Sequence, residues 1–300
     1  MTKPHYLLLL SMLLCMETAV AEVTVFSCEP EWKALAEEIG GDRIRAFSAT
    51  TAGQDPHHIQ ARPSLIAKLR RADMLICSGA DLEAGWLPLL LRRARNPKVL
   101  PGKPGHLMAA DQVEMLEVPE RLDRSEGDIH AQGNPHVHLD PENILKVARV
   151  VSGRLAEIDP DNAEHFQSSR KSFQARWTDA IMNWDTRASD LRGELVVVHH
   201  REWVYLLHWL GMQQLAALEP KPGVPPTAGH LASLQVRLGR EQPLAIVRSS
   251  ISDPRPSEWL SNRTGVAQVV LPYTVGSAEN VNDLFSLFEE IVSVLLRVKS

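Results

Sequence analysis

Short apolar runs alternate with helix-like stretches along the first part of the chain, a pattern typical of parallel β/α units. The strand-like runs fall at residues 23–27, 44–47, 74–78 and 113–118. Apolar positions with helical spacing fall between them, at residues 31–39, 63–71 and 82–95. This alternation predicts a first lobe built on a parallel sheet.

The middle of the chain is helical without a strand-like interruption. Asp140 and Pro141 supply an N-cap and a first-turn proline, which predicts a helix to about residue 158. Asp159 and Pro160 repeat the signal, and the second helical stretch continues to about residue 191. A helix of about thirty residues is on the order of 45 Å long. We expect it to join two lobes as a stiff spine that resists hinge closure.

The remaining third of the chain returns to β/α alternation. Strands are predicted at 195–199, 214–217, 244–248 and 268–271, and helices at 202–210, 228–238, 257–264 and 282–298. The predicted fold is therefore α/β, with two β/α lobes joined by a long helix and a cleft between them. The boundaries we expect are 22–140 for the first lobe, 141–191 for the helical spine and 192–300 for the second lobe.

The N-terminal residues have the features of an export signal. Lys3 precedes an almost unbroken apolar run at 6–16, and Ala19-Val20-Ala21 gives a small-x-small cleavage site. The run is too short to span a bilayer. A buried N-terminal helix and a lipidated Cys15 are the alternatives. We expect cleavage after Ala21 and a periplasmic product.

Charge and cysteine content narrow the class of protein. The formal net charge is -5, and no basic stripe with interleaved aromatic residues is present, which argues against nucleic acid as a partner. Cys28 and Cys77 each end a strand-like run. In an oxidising compartment such a pair favours a disulfide, since neighbouring strand ends lie within bridging distance. Two free buried thiols are the alternative.

Histidines cluster at the connections between predicted elements. Imidazole nitrogens are good ligands for zinc, copper, iron and nickel. For a single loop histidine, hydrogen bonding or solvation is the simpler explanation, and only the occurrence of several at such positions makes a metal site an equal alternative. Three pairs occur in such connections: His57 and His58, His136 and His138, and His199 and His200.

Several motifs resemble the zinc and manganese solute-binding proteins of bacterial ABC importers. They are GQDPHH at 53–58, NPHVHLDPEN at 134–143 and VVVHHREWVYLLHWLGM at 196–212, and the segments EPKPGVPPTAGHL and PSEWLSNRTG fit the same family. The resemblance implies two β/α lobes joined by a long helix, a membrane permease as partner, and no catalysis. It also implies His57, His136 and His200 as metal ligands.

The second motif departs from the family pattern. Asn134 replaces the usual aspartate, and His138 stands where the family usually has tryptophan. Either His136 or His138 could therefore be the ligand, and we favour His136. The region before this motif is short and contains only His130, so a histidine-rich loop that collects metal is not expected.

The fourth ligand is not evident in the sequence. Many members have an aspartate just after a late strand of the second lobe, but here that strand ends in Leu-Pro-Tyr at 271–273. We assign the role to Asp283, with Asp253 or a bound water as alternatives, although an acid in the first turn of a helix is also explained by the helix dipole. Three imidazoles with at most one carboxylate favour zinc over manganese.

We expect a monomeric protein that captures a divalent metal, zinc, in the periplasm and delivers it to the permease of an ABC importer. A zinc hydrolase that uses a metal-activated water would fit the same compartment. Against it, the chain has no HExxH motif. A metal buffer or adhesin without a transporter also fits these features, as does a manganese-binding protein of the same fold.

Overall fold

A computed structural model describes residues 22–121, 127 and 130–299. The predicted signal peptide, with Cys15, lies outside these residues. The first sheet contains four parallel strands in the order β2-β1-β3-β4. They are β1 (Val23–Ser27), β2 (Ile44–Ser48), β3 (Met74–Cys77) and β4 (His106–Met108). The helices of this lobe are α1 (Pro30–Gly40), α2 (Pro63–Arg71) and α3 (Leu87–Ala94).

Two long helices follow the first lobe. They are α4 (Pro141–Ile158) and α5 (Ala163–Arg187). Asp140 caps α4 as predicted, since its side chain accepts a hydrogen bond from the backbone N–H of Glu142, and Pro141 occupies the first turn. The 25 residues of α5 make a rod of about 37 Å. The predicted long helix between the two lobes is confirmed, although it is shorter than expected, and its resistance to hinge closure stays a prediction.

The second sheet repeats the first, with four parallel strands in the order β6-β5-β7-β8. They are β5 (Leu195–Val198), β6 (Gln213–Ala217), β7 (Ala245–Arg248) and β8 (Gln268–Val270). The helices of this lobe are α6 (Val204–Leu210), α7 (Ala228–Leu238), α8 (Pro254–Thr264) and α9 (Leu284–Lys299). The predicted α/β architecture of two lobes is confirmed.

One continuous apolar core runs through both lobes and along the spine. Trp177 of α5 belongs to this core and is fully buried, and its indole N–H donates to the carbonyl of Pro141 over 2.9 Å. Its ring lies 4.7 Å from that of Phe285 and 5.5 Å from that of Phe288, both on α9. Helix α5 also packs against α1 of the first lobe. The spine therefore packs against helices of both lobes.

Two element predictions were wrong. Residues 113–118 form no strand, and the fourth strand is the three-residue β4 at His106–Met108, which pairs with β3. The backbone of Glu117 has a φ of 54°, which no strand accommodates. The helix predicted at 82–95 begins only at Leu87, because Pro88 has no N–H to donate and so marks a first turn.

The predicted disulfide is confirmed. Cys28 and Cys77 are bonded at the ends of the adjacent strands β1 and β3, with their Cα atoms 4.8 Å apart. Both are fully buried.

Within the described ranges, no helix is long and apolar enough to cross a bilayer.

Candidate metal centre

Connections at the carboxyl ends of the strands bring three histidines together between the lobes. His57 follows β2, His136 lies just before α4, and His200 follows β5. In open parallel sheets this edge is where ligands bind. Each side chain offers a nitrogen within 4.8 Å of the others, and the ring centroids lie 5.7, 5.9 and 6.1 Å apart. That spacing suits a single ion bound at about 2.0–2.1 Å per nitrogen, with small side-chain movements.

His57 is oriented by the short 3₁₀ turn Pro56–His58. Asp55 caps this turn, and its carboxylate accepts from the backbone N–H of His57 at 2.9 Å and contacts the ring Nδ1 at 2.8 Å. Burial raises the pKa of Asp55, but these contacts with His57 outweigh it and lower that pKa to about 2. With Nδ1 held by a carboxylate, Nε2 is the nitrogen left for a metal. Such a carboxylate also increases the basicity of the ligand.

His200 has an equivalent carboxylate partner on the second lobe. Its Nδ1 lies 2.7 Å from Oε2 of Glu219, which also accepts from the backbone N–H of Gly223 at 2.9 Å. Burial lowers the pKa of His200, but the hydrogen bond to Glu219 and the charges of Glu202 and Glu219 raise it to about 9. His200 is therefore protonated at neutral pH when no metal is bound.

His136 differs from the other two, because neither of its ring nitrogens has a hydrogen-bond partner in the described structure. Its backbone N–H donates to Asn134 Oδ1 at 3.1 Å, and the Asn134 amide donates to the carbonyl of Arg201 on the second lobe at 2.8 Å. Burial, and then the neighbouring histidines, lower the pKa of His136 well below its usual value. Buried polar groups normally have a hydrogen-bond partner, and a bound cation would supply one for the neutral imidazole of His136.

A cavity of about 250 Å³ opens beside the three histidines. Glu202 lines it and is 4% exposed, and burial raises the pKa of its carboxyl group to about 7. Tyr273, which follows β8, lies on another side, with its ring 6.5 Å from that of His136. The walls come from both lobes, so the site is part of the interlobe cleft.

His138 lies outside the three-histidine group and has other partners. Its Nε2 lies 2.9 Å from the carbonyl of Tyr273, and its Nδ1 lies 3.3 Å from a carboxylate oxygen of Glu31 on α1. The hydroxyl of Thr274 donates to the other Glu31 oxygen at 2.5 Å. These buried contacts join the two lobes beneath the site. Of the two histidines that the sequence left open, the structure places His136 in the group.

The structure does not bring Asp283 to the histidines. Its carboxylate accepts from the backbone N–H of Ser286 at 2.7 Å and from the hydroxyl of Ser286 at 2.6 Å, so it is the exposed N-cap of α9. Asp253 does line the cavity, but both of its oxygens contact the guanidinium of Arg255. Among the described residues, the group that could share one ion here contains the three histidines and no carboxylate.

Sequence reasoning missed the carboxylates around the site. Asp55 is adjacent to a predicted ligand and could have been found as a capping residue within the motif GQDPHH. Glu219 contacts His200 only because β5 and β6 are neighbours, and no local pattern indicates that pairing. The ring of His130 lies 5.4 Å from that of His57, so the lone histidine of the short preceding region also reaches the site.

Comparison with known proteins gives consistent matches over nearly the whole described chain. The family model of the periplasmic component A of the zinc-uptake complex, ZnuA, matches residues 25–298. The iron ABC transporter substrate-binding lipoprotein MtsA of Streptococcus pyogenes is 24% identical over 239 residues, which cover 77% of this chain and 73% of MtsA. The manganese ABC transporter substrate-binding lipoprotein PsaA of Streptococcus pneumoniae is 24% identical over 248 residues, covering 82% and 78%.

Solved structures share the fold. A crystal structure of ZnuA superposes with a TM-score of 0.79 at 21% identity, and the match covers 93% of this chain and 100% of that one. The periplasmic metal-binding protein from Candidatus Liberibacter asiaticus gives a TM-score of 0.74 at 18% identity, covering 91% and 100%.

The relatives named for iron or manganese and the family named for zinc share one role, the capture of a metal by the substrate-binding component of an ABC transporter. Such components work with a membrane permease and are not enzymes. The alternative hypothesis of a zinc hydrolase is therefore wrong. The chain belongs to the ZnuA family of metal-binding, substrate-binding proteins of ABC transporters.

Proposed function

We propose that this protein captures one zinc ion through Nε2 of His57, Nε2 of His200 and one ring nitrogen of His136. The observation that supports zinc is the donor set, since three imidazoles lie together with no carboxylate in the same group. Zinc accepts nitrogen ligands in a tetrahedral site, whereas manganese prefers more oxygen. Asp283 is not part of this proposal because Ser286 and the start of α9 occupy its carboxylate.

The proposed role places the protein in the periplasm as a monomer that presents zinc to its permease. The apolar run and the small residues at 19–21 support export with cleavage after Ala21. N-terminal sequencing of the exported protein and sedimentation of the purified product would test the two points. A mature chain that begins elsewhere, or a stable dimer, would contradict them.

The metal proposal is tested by competitive titration of the metal-free protein with zinc and manganese, beside His57→Ala, His136→Ala and His200→Ala. We expect one zinc per chain, tighter binding of zinc than of manganese, and weaker zinc binding in each variant. His58→Ala is a matched control, because His58 is in the same 3₁₀ turn but its side chain is 74% exposed.

Zinc binding that none of the three substitutions weakens would show that the ion is held elsewhere. Preferential binding of manganese would refute the argument from the donors. A loss in His58→Ala as large as that in His57→Ala would mean that the turn, and not the ligand, had been disrupted.

A further inference from the structure

Glu202 is a buried acid at the metal cavity whose role the three-histidine site does not explain. It lies two residues after His200 in a 3₁₀ turn and is 4% exposed. Its carboxylate lines the same cavity as the histidines. Within the described ranges, its Oε2 atom is buried and has no hydrogen-bond partner.

Leaving a carboxylate oxygen buried without a partner is costly, typically more than the 1–3 kcal/mol of a neutral polar group. The other acids of the cavity have partners. Asp55 contacts His57, Glu219 contacts His200, and Asp253 is paired with Arg255. The Glu202 carboxyl interacts with the side chain of Ser249, but among these acids it alone has a buried oxygen, Oε2, without a hydrogen-bond partner in the described structure. A cation in the cleft, or a ligand of that cation, would compensate for its burial.

The geometry indicates how Glu202 would reach the cation. Its oxygens are not part of the group in which every ligand atom lies within 4.8 Å of the others. A direct ligand of a tetrahedral ion, with bonds of about 2 Å, would lie roughly 3.3 Å from each of the other three. The carboxylate is therefore not placed as a direct ligand, and a water molecule between it and the ion would connect the two. Three histidine ligands leave one position of a four-coordinate ion for that water.

We propose that Glu202 is a positioning residue of the metal site, where its Oε2 accepts a hydrogen bond from a water molecule that is the fourth ligand of the cation. This inference rests on the proposed binding of zinc by the three histidines. Many family members have an acidic residue of the metal site just after a late strand of the second lobe. In this protein the acid at the site would be Glu202, two residues after the ligand His200. A carboxylate that holds a ligand in place also adds a negative charge near the ion without occupying a coordination position.

The test compares zinc affinity, measured by competition with a chromophoric chelator at fixed pH, in the full mature chain and two variants. Glu202→Met removes both acceptor oxygens at similar side-chain length, and we expect binding to weaken about 10- to 100-fold. Glu202→Gln keeps one acceptor but removes the charge, and we expect a smaller loss. Asp253→Asn is the matched control, because it removes a charge from the same cavity at a side chain already paired with Arg255. It should bind zinc within twofold of the unchanged protein.

Circular dichroism and thermal unfolding of each metal-free variant show whether it folds. If Glu202→Met does not fold, the measurement moves to the unchanged protein loaded with Co²⁺. A water ligand is exchanged for added thiocyanate, with a shift of the visible d–d bands, whereas a carboxylate ligand is retained and the bands stay in place.

Folded Glu202 variants that bind zinc within twofold of the unchanged protein would overturn the proposal. So would an unshifted Co²⁺ spectrum, or a large loss in Asp253→Asn that identified Asp253 as the fourth ligand. Failure of the three-histidine site itself is distinguishable, because His57→Ala and His200→Ala would then leave zinc binding unchanged whatever the Glu202 variants do.

Discussion

Zinc binding should release a proton from His200, and the pH dependence of affinity should show it. Without metal, the pKa of His200 is about 9 because of Glu219 and Glu202. A metal needs the neutral imidazole, so the ion must displace that proton. At pH 7 only about 1% of His200 is neutral, which weakens apparent binding roughly 100-fold, or about 2.7 kcal/mol. The apparent affinity should therefore rise about tenfold per pH unit from 7 to 9 and then level off.

Calorimetric titration in buffers of different ionisation enthalpy measures the protons released per zinc. At pH 8 about 0.9 proton should come from His200. This pH is suitable because the pKa of Glu202 is about 7, so that carboxyl is already mostly ionised. His136 contributes none, since burial keeps it neutral. Glu219→Gln keeps an acceptor but removes the negative charge that raises the pKa of His200, and the number of protons released at pH 8 should fall. Equal release in Glu219→Gln and the unchanged protein would refute this account, as would an affinity that is flat from pH 7 to 9.

Three further results are expected. Replacing Cys28 and Cys77 with alanine opens a loop closed over a separation of 49 residues, and should lower the free energy of unfolding in urea by up to about 4 kcal/mol; a loss below about 1 kcal/mol would contradict the loop-entropy argument. Burial, and then neighbouring acids, raise the pKa of Glu29 well above its usual value, so its stabilising contribution is complete below pH 4.5 and is lost as the pH rises. Glu29→Gln should therefore raise the unfolding temperature of the metal-free protein at pH 8 but not at pH 4. An equal change at both pH values would contradict this expectation. Thr274→Val removes the hydroxyl that donates to buried Glu31 and should cost about 1–3 kcal/mol in chemical unfolding, whereas Thr274→Ser, which keeps the donor, should cost clearly less.

The sequence predicts most of the fold because strands and helices have local signals. The runs at 23–27 and 195–199 are mostly apolar and β-branched, as strands covered on both faces require, and the structure contains them as β1 and β5. The strand β4 was not predicted, because its three residues are too few to show a periodic pattern. A strand was predicted instead at 113–118, where more apolar residues occur together. The domain boundaries at residues 140 and 191 stay predictions.

The site is less accessible to local reasoning. The three histidines come from separate connections, and it was resemblance to a family, not spacing, that selected them. Asp283 shows the limit clearly, because an acid before a helix has the same local pattern whether it caps the helix or binds a metal. In the structure its oxygen accepts from Ser286. Glu202 gave no signal either, since its significance depends on the absence of a partner for one buried oxygen.

The spine helix α5 supports both lobes while contributing none of the three histidines. It packs against α1 on one side and α9 on the other, and we therefore expect it to influence the separation of the loops that carry His57 and His200. Protein interiors pack as densely as organic crystals, so we expect a smaller side chain in place of Trp177 to be felt by the elements packed on it and to shift this separation slightly. Ions that differ in radius by a similar amount would sense that shift. We therefore expect substitutions at buried positions of α5 to alter metal preference without any change in the ligand residues.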